Sequence, residues 1–306
     1  KCSFSTLLYT IDSDIDGIIY LGSVVSSKQE KLSIRSSQEI SAAGLLHLTQ
    51  SLVESKLSPR LVVLTENSVP FENNESELEL SGSLSLGMLK TINIEHPQFN
   101  AMHIDVDSLL NQYLVKALNV NLNSFKENTR EDQLVLRGSE CYVPRMVSKV
   151  VTKSKNFTFD SDSSYLITGG LGGLGLACCE WMIKRGVKHV VLSSRREPSV
   201  HIKEIISQLN QSDAQVEVMC CDVSDSAQVK DLFLNDYFTQ FPLKGIIHAA
   251  GMESRASLID YEWDTFQQVL SPKVQGGWNL HEHSKGLQLD FFIVYSSISS
   301  MMGSAK

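Results

Sequence analysis

Residues 165–175 constrain this chain more than any other stretch. A short apolar run, Tyr165-Leu166-Ile167-Thr168, stops in Gly169-Gly170-Leu171-Gly172-Gly173-Leu174-Gly175. Five glycines in seven positions leave the backbone free to turn sharply and to be approached closely. Behind them Leu174, Ala177, Cys178, Trp181 and Met182 recur at helical spacing. Lys184 and Arg185 suit the negative end of a helix, and Gly186 offers a left-handed stop. The order is strand, glycine turn, helix. In that context Gly170, Gly172 and Gly175 form a G-x-G-x-x-G turn. The first glycine permits the turn, the second lets backbone N–H groups reach a pyrophosphate, and the third lets helix and strand pack closely. The helix N-terminus then faces the anion. A glycine-rich structural turn is the competing reading. No Lys-Ser/Thr pair follows, which argues against a P-loop.

The pattern continues in strict alternation. Strands are expected at His189–Leu192, Gln215–Met219, Gly245–Ile247 and Leu289–Tyr295. Between them lie helices marked by Ile202, Ile205, Ile206 and Leu209, then by Val229, Leu232 and Phe233, and a long helix from Trp263 to His281. Such a βαβ series predicts a doubly wound parallel sheet. Upstream, Leu45–Leu52 suits a helix, Leu61–Leu64 a buried strand and Val69–Leu80 a polar loop. A helix around Leu84–Ile92, a strand at Met102–Val106 and a helix at Leu109–Leu118 follow. This first part is also α/β, but no glycine-rich loop follows any of its strands, so it reads as scaffold. The expected division is residues 1–150, a Ser/Thr/Lys-rich linker at 151–163, and residues 164–306.

Composition narrows the function classes. Of 306 residues 42% are hydrophobic and 20% charged, enough for a packed core and too apolar for a disordered chain. Lys+Arg 27 against Asp+Glu 35 gives a net charge of -8, so no basic excess exists to displace counterions from nucleic acid. No run approaches the length needed to span a bilayer and no leader opens the chain. A protein with no membrane and no nucleic-acid partner is expected. Of six cysteines, four form two adjacent pairs, Cys178-Cys179 and Cys220-Cys221, which are poorly placed for unstrained disulfides. No C-x-x-C spacing for a metal appears. Buried thiols in the cytoplasm are expected.

Further residues carry chemistry. The second strand of the glycine-loop half ends in Ser193-Ser194-Arg195-Arg196, where an NAD site would place an acidic residue on the ribose 2′-hydroxyl. Two cations pair with a 2′-phosphate instead, which favours NADPH over NADH; a solvated basic turn is the alternative. Asp222 closes the third strand, placed either to accept from an adenine amino group or to cap the next helix. His248-Ala249-Ala250-Gly251 closes the fourth, and its small residues let a cofactor approach the backbone. On the long helix Phe266, Leu270, Val274, Gly277 and Leu280 mark a buried stripe, with Lys273 on or beside it. A lysine there either snorkels to the surface or serves a partner. Ser296 and Ser297 follow the fifth strand at the same edge. His281 and His283 do not share a helix face, so they form no pair.

Thr168-Gly-Gly-Leu-Gly-Gly-Leu-Gly175, Ser194-Arg195, Cys221-Asp-Val223, His248-Ala-Ala-Gly251, Pro272-Lys273 and Tyr295-Ser-Ser297 resemble the ketoreductase domain of type I polyketide synthases and animal-type fatty acid synthases. That domain is a specialised short-chain dehydrogenase/reductase. Upstream, Gly87, Glu95-His96-Pro97, Asp132 to Gly138 and Tyr142-Val143-Pro144-Arg145 resemble the family's structural subdomain, a truncated Rossmann unit without cofactor. The resemblance implies two Rossmann-like doubly wound parallel-sheet subdomains, the second truncated at its C-terminal end. It implies NADPH held by Thr168, Gly170, Gly172, Gly173, Leu174, Gly175, Ser194, Arg195, Asp222, Val223, Ala249, Ala250 and Gly251.

The same resemblance implies reduction of a β-ketoacyl thioester, carried by phosphopantetheine on an acyl carrier protein, inside a polypeptide with other synthase domains. A Lys, a Ser and a Tyr act together in that family. The Lys and Ser map to Lys273 and Ser297, whose separation of 24 matches the family spacing. Ser297 hydrogen-bonds the substrate oxygen, and Lys273 holds the Tyr and lowers its pKa. The family's Tyr falls a few residues past Lys306, and Tyr295, ahead of the serine, is no substitute. Glu253-Ser254-Arg255 stands where one stereochemical class has Leu-Asp-Asp, and the tryptophan of the other class is missing, so stereochemistry stays open. Residues 1–306 alone are expected to bind NADPH weakly without turnover. The alternative is a non-catalytic module that at most binds NADPH. A sugar-nucleotide epimerase is a distant third, disfavoured by the His-Ala-Ala-Gly and Pro-Lys elements.

Overall fold

The computed structural model describes residues 2–11, 15–24, 33–71, 78–123, 131–150, 157–211 and 213–305. Two units organise the chain. Lys1–Val150, Arg255–Tyr261 and Ser297–Lys306 form the first, and Val151–Ser254 with Glu262–Ser296 the second.

In the first unit the order is α1 (Cys2–Thr10), β1 (Gly17–Tyr20), α2 (Ile34–Gln38), a π-helical stretch at Glu39–Ala43, α3 (Gly44–Glu54), β2 (Arg60–Glu66), α4 (Ser83–Glu95), β3 (Met102–Val106), α5 (Leu114–Asn123), β4 (Gln133–Arg137) and β5 (Glu140–Tyr142). The strands lie side by side in sequence order, parallel except for β5, which turns back along β4. Successive strand residues point to opposite faces. Val62, Leu64, Met102, Ile104, Val106, Leu134 and Leu136 therefore share one face, and Leu114 and Ala117 of α5 cover it. Because strand order never reverses, this sheet has no switch point at which a ligand crevice opens. Gln50 of α3 donates to the carbonyls of Leu258 (3.0 Å) and Tyr261 (2.8 Å), and Glu95 of α4 accepts the Leu258 N–H at 2.8 Å.

The helix expected from Leu109 starts at Leu114 instead. Asn111 explains the delay. Its Nδ2 donates to Asp107 Oδ1 (2.8 Å) and to the Gly138 carbonyl (2.9 Å), and its Oδ1 accepts the Tyr113 N–H at 2.8 Å. A short amide side chain that satisfies nearby backbone competes with the helix. Of the expected Val69–Leu80 loop, residues 72–77 lie outside the described residues.

A polar network crosses β2, β3 and β4 near their carboxyl ends. The Asp105 carboxylate is fully buried and sits 2.6 Å from Arg137 Nη2. It also accepts the Ser68 N–H at 2.9 Å, the Val69 N–H at 3.3 Å and the Thr65 hydroxyl. Thr65 Oγ1 has given its only proton to Asp105, so it accepts from His103 Nε2, 2.8 Å away. Burial lowers the His103 pKa to about 4. An unfolded histidine titrates near 6.5, so between pH 6.5 and about 4 the unfolded chain binds a proton that the folded one refuses. Stability is present above pH 6.5 and falls through that window, by on the order of 3 kcal/mol from this residue. Urea unfolding across the window shows this as a steep acid-side loss, and His103→Gln flattens it.

In the second unit β6 (Ser164–Thr168), α6 (Gly173–Ile183), β7 (His189–Ser194), α7 (Val200–Leu209), β8 (Gln215–Cys220), α8 (Ser226–Phe233), α9 (Asp236–Gln240), β9 (Leu243–His248), α10 (Trp263–Ser284) and β10 (Phe291–Val294) follow in turn. A last turn, α11 (Ser299–Met302), belongs to the first unit. All five strands are parallel, in the order β10-β9-β6-β7-β8. Tyr165, Ile167, Val190, Leu192, Val216 and Ile247 pack with Cys179, Met182 and Ile206 of α6 and α7. Leu166, Val191 and Ile246, on the other face, pack with Val229, Leu232 and Leu280 of α8 and α10. Helices thus cover both faces, and strand order reverses between β6 and β9. That reversal is the switch point, and α/β sheets bind ligands at its carboxyl edge.

The amino edge is sealed by rings. Tyr165 and Phe291 stack at 5.7 Å and Phe159 meets Tyr165 edge-on at 5.2 Å. A Cβ on Gly245 would lie 2.3 Å from the Phe291 ring, so glycine makes the room. Phe159 belongs to the expected linker. Of that segment, 151–156 lie outside the described residues, and Phe159 and Ser163 pack into this unit. The thiols are not uniformly buried: Cys179 and Cys221 are, whereas Cys141 and Cys220 are exposed. Neighbours along a strand face opposite ways, so Cys221 can point inward while Cys220 reaches Glu197 Oε1 at 3.2 Å. β10 is an edge strand with Ile293 and Val294 exposed.

Candidate functional site

The glycine loop sits at the switch point, and its glycines differ in why they are there. Gly169 has φ +67°, and a Cβ on it would lie 2.7 Å from the Ala249 backbone. A Cβ on Gly170 would meet the Ile167 carbonyl and Leu192 at 2.8 Å. On Gly175 it would stand 2.6 Å from the Gly169 carbonyl. Backbone packing demands these three. Gly172 and Gly173 are exposed, a Cβ at 172 would touch only the Gly169 carbonyl at 3.3 Å, and Gly173 has nothing within 4 Å. Packing among the described residues gives no reason for glycine at 173.

α6 begins there. Gly172 is its N-cap, in extended conformation and without a side-chain cap. Among the described residues nothing accepts the N–H groups of Gly173, Leu174 and Gly175. Unmet donors at the positive end of a helix, with open ground over a glycine, suit an anionic group. These residues fit the pyrophosphate of a nicotinamide dinucleotide.

Other residues singled out by the sequence surround this edge. Ser194 is half-buried and accepts the Arg196 N–H at 3.4 Å. Arg195 and Arg196 are exposed, and neither has a carboxylate partner among the described residues. Asp222 is half-buried and accepts the Ser224 N–H at 2.9 Å. The cap of α8 is Asp225, which accepts from Ala227 and Gln228, so capping is not the task of Asp222. Val223 is buried, and its carbonyl accepts from Asn279 Nδ2 at 2.9 Å. Ala249 and Ala250 are half-buried and Gly251 exposed.

Lys273 is exposed, and a Cβ on Gly251 would lie 3.4 Å from its Cε. The inward face of α10 differs from the expected stripe. Pro272, Gly276, Asn279, Leu280 and Ser284 are its buried residues, while Phe266, Leu270, Val274 and Gly277 are half-buried. The reason is close approach: a Cβ on Gly276 would lie 2.7 Å from Val223, so small and polar residues, not large apolar ones, take the tightest contact.

Ser297 groups with the first unit, where its exposed hydroxyl accepts the Ser299 N–H at 3.2 Å. Lys273 groups with the second. The Tyr295 pKa is raised by its hydrogen bond with Cys178 and by burial, the opposite of what an acid poised for neutral pH needs.

Thr168 is fully buried, and its Oγ1 lies 2.7 Å from His248 Nδ1. His248 Nε2 lies 2.9 Å from the Pro272 carbonyl. Burial lowers the His248 pKa, keeping the ring neutral. Sequence pattern alone does not mark His248, Asn279 or Gly276 as site residues. The available signals are a histidine at the start of a small-residue motif and a Gln275–Asn279 pair at helical spacing, bonded at 2.8 Å. Among the described residues no cluster suits a metal ion, and no helix is long and apolar enough to cross a membrane.

The two classes of glycine separate by mutation. Gly175→Ala drives a Cβ into backbone and is expected to cost about 1–3 kcal/mol in urea unfolding. Gly173→Ala meets nothing and leaves stability unchanged or raised by up to about 1 kcal/mol.

Comparison with known proteins agrees with this architecture. Residues 163–306 match the KR domain family, and residues 18–146 match the family described as polyketide synthase extender module SpnB, Rossmann fold domain. A phenolphthiocerol/phthiocerol polyketide synthase of Mycobacterium tuberculosis is 28% identical over 249 residues, covering 81% of this chain and 13% of that protein. Highly-reducing polyketide synthase 1 of Aureobasidium melanogenum is 37% identical over 158 residues, 51% of this chain and 7% of that one. The chain therefore spans a small fraction of these relatives. An N-terminal ketoreductase from the macrolactin assembly line superposes with TM-score 0.85 at 23% identity, over 99% of this chain and 60% of that one. A ketoreductase domain from the bacillaene assembly line gives 0.76 at 26% identity, over 96% and 72%. The chain belongs to the ketoreductase domain family of polyketide synthases, with the KR domain at residues 163–306 and a companion Rossmann fold domain at 18–146.

Proposed function

We propose that this chain binds NADPH and takes part in reducing a β-ketoacyl thioester, held by phosphopantetheine on an acyl carrier protein, to the β-hydroxyacyl form. The observation that carries the reading is the uncapped start of α6 at the switch point, where packing among the described residues gives no reason for glycine at 173. In this reading residues 164–306 are the cofactor-binding subdomain and 1–150 the structural one, and other synthase domains share the polypeptide. The five free cysteines among the described residues support a reducing, cytoplasmic setting.

Thr168, Gly170 and Gly172 shape the loop, and Gly173, Leu174 and Gly175 present their unmet N–H groups to the pyrophosphate. Ser194 and Arg195 meet the 2′-phosphate. Asp222 and Val223 flank the adenine, and Ala249, Ala250 and Gly251 line the backbone side of the pocket. Bound there, a reduced nicotinamide supplies hydride to the ketone carbon. Ser297 donates a hydrogen bond to the ketone oxygen, and Lys273 places a cation beside Gly251. The family resemblance implies a tyrosine as proton donor; Tyr295 is the last tyrosine of the 306 residues.

Calorimetric titration tests the cofactor assignment. NADPH binds at least about tenfold more tightly than NADH, since a charge-assisted contact to phosphate contributes about 1.5–3 kcal/mol. Arg195→Ala removes most of that preference, and Gly173→Ala weakens both cofactors. Equal affinity for NADPH and NADH in the unmodified protein would overturn the 2′-phosphate assignment.

A further inference from the structure

His248 joins three elements. β6 ends at Thr168, where the glycine loop starts; β9 ends at His248 itself; and Pro272 lies on α10, one residue before Lys273. A carbonyl can only accept, so the 2.9 Å contact with Pro272 requires the proton on His248 Nε2. Nδ1 of the neutral ring is then an acceptor, and the Thr168 hydroxyl, 2.7 Å away, donates to it. The ring is 2% exposed. Gly276 and Gly277 lie against it: a Cβ on Gly276 would stand 3.5 Å from Cε1 and one on Gly277 3.8 Å from Cδ2, both ordinary contact distances.

Pro272 makes this tie matter. Proline has no N–H, so the carbonyl four residues earlier, that of Gln268, loses its partner within α10 and the helix is loosened at this turn. The contact from His248 supplies an outside anchor at the same place. The lysine stem is bounded at its other end by Gly251, three residues after His248, whose backbone runs close to Lys273 Cε.

We infer that His248 is a positioning residue, which through its Nε2–H bond to the Pro272 carbonyl sets Lys273 against the end of β9 and couples that turn to the glycine loop through Thr168. The inference rests on the cofactor reading above and adds to it a residue that need not touch the cofactor. It requires a ring of fixed tautomer: an aliphatic side chain of similar size fills the space but leaves the Thr168 hydroxyl buried without its acceptor and the Pro272 turn without its anchor.

Two NMR readouts on the whole chain test this. Nitrogen-15 shifts of His248 in the unmodified protein, which need no variant, are expected to show Nε2 protonated and Nδ1 bare. The Nδ1–H tautomer would overturn the inference. The second readout is the Lys273 dimethylammonium resonance after reductive methylation, assigned with Lys273→Arg. His248→Leu, with folding checked by circular dichroism, is expected to shift and broaden that signal and to weaken NADPH binding about tenfold. His248→Gln, whose amide retains a donor toward Pro272, is expected to restore both to within about twofold. An unmoved Lys273 resonance in folded His248→Leu, or no recovery in His248→Gln, also sinks it. If the unmodified protein does not bind NADPH while both NMR readouts come out as expected, the cofactor reading fails and the positioning role stands.

Discussion

A Cβ at position 175 would sit 2.6 Å from one loop carbonyl, one at 170 would collide with Leu192, and one at 169 would press on Ala249. The contacts at 169 and 170 hold the loop after β6 close against β9 and β7, and the contact at 175 lays the start of α6 on that loop. The rest of the second unit is arranged around that closeness. Because the loop lies low against the sheet, α6 starts directly over the switch point. Because β9 is drawn in, His248 reaches both Thr168 and α10. Larger residues would push the strand ends apart and break both relations at once.

The two sheets use the same layered plan to opposite ends. In the first, side chains close the carboxyl edge: Arg137 reaches Asp105, Thr65 bridges Asp105 and His103, and the Ser68 and Val69 amides turn in to the same carboxylate. Most polar groups there are spent on each other, with His103 Nδ1 buried and without a partner among the described residues. In the second, the corresponding edge keeps unmet amides and exposed cations at Arg195 and Lys273. The difference traces to strand order, sequential in one sheet and reversed in the other.

Local pattern is readable where one physical effect dominates. The glycine run allows one reading of β6 and α6, and the buried runs at Leu61–Leu64 and Met102–Val106 show as strands because both faces are covered. β1, with four residues, and the short helix Ile34–Gln38 carry too little periodicity to stand out. Asn111 delays α5 through side-chain bonds that hydrophobic spacing does not register. The inward stripe of α10 differs from its apolar pattern because such a pattern favours large residues, whereas Gly276 and Asn279 are inward by virtue of fitting against Val223. His248 escapes for a related reason. Its role depends on two acceptor and donor atoms, Pro272 O and Thr168 Oγ1, that lie 24 and 80 positions away and meet only in three dimensions.

The Gln50 amide waits for partners 208 and 211 positions downstream. At a synthesis rate of roughly 5–20 residues per second, that interval is roughly 10–40 s. Meanwhile the glycine-loop unit, most of which precedes Ser254, has the material to begin folding. The first unit thus holds segments on both sides of residues 151–254 of the second, and no single cut between residues 1 and 306 yields both units whole.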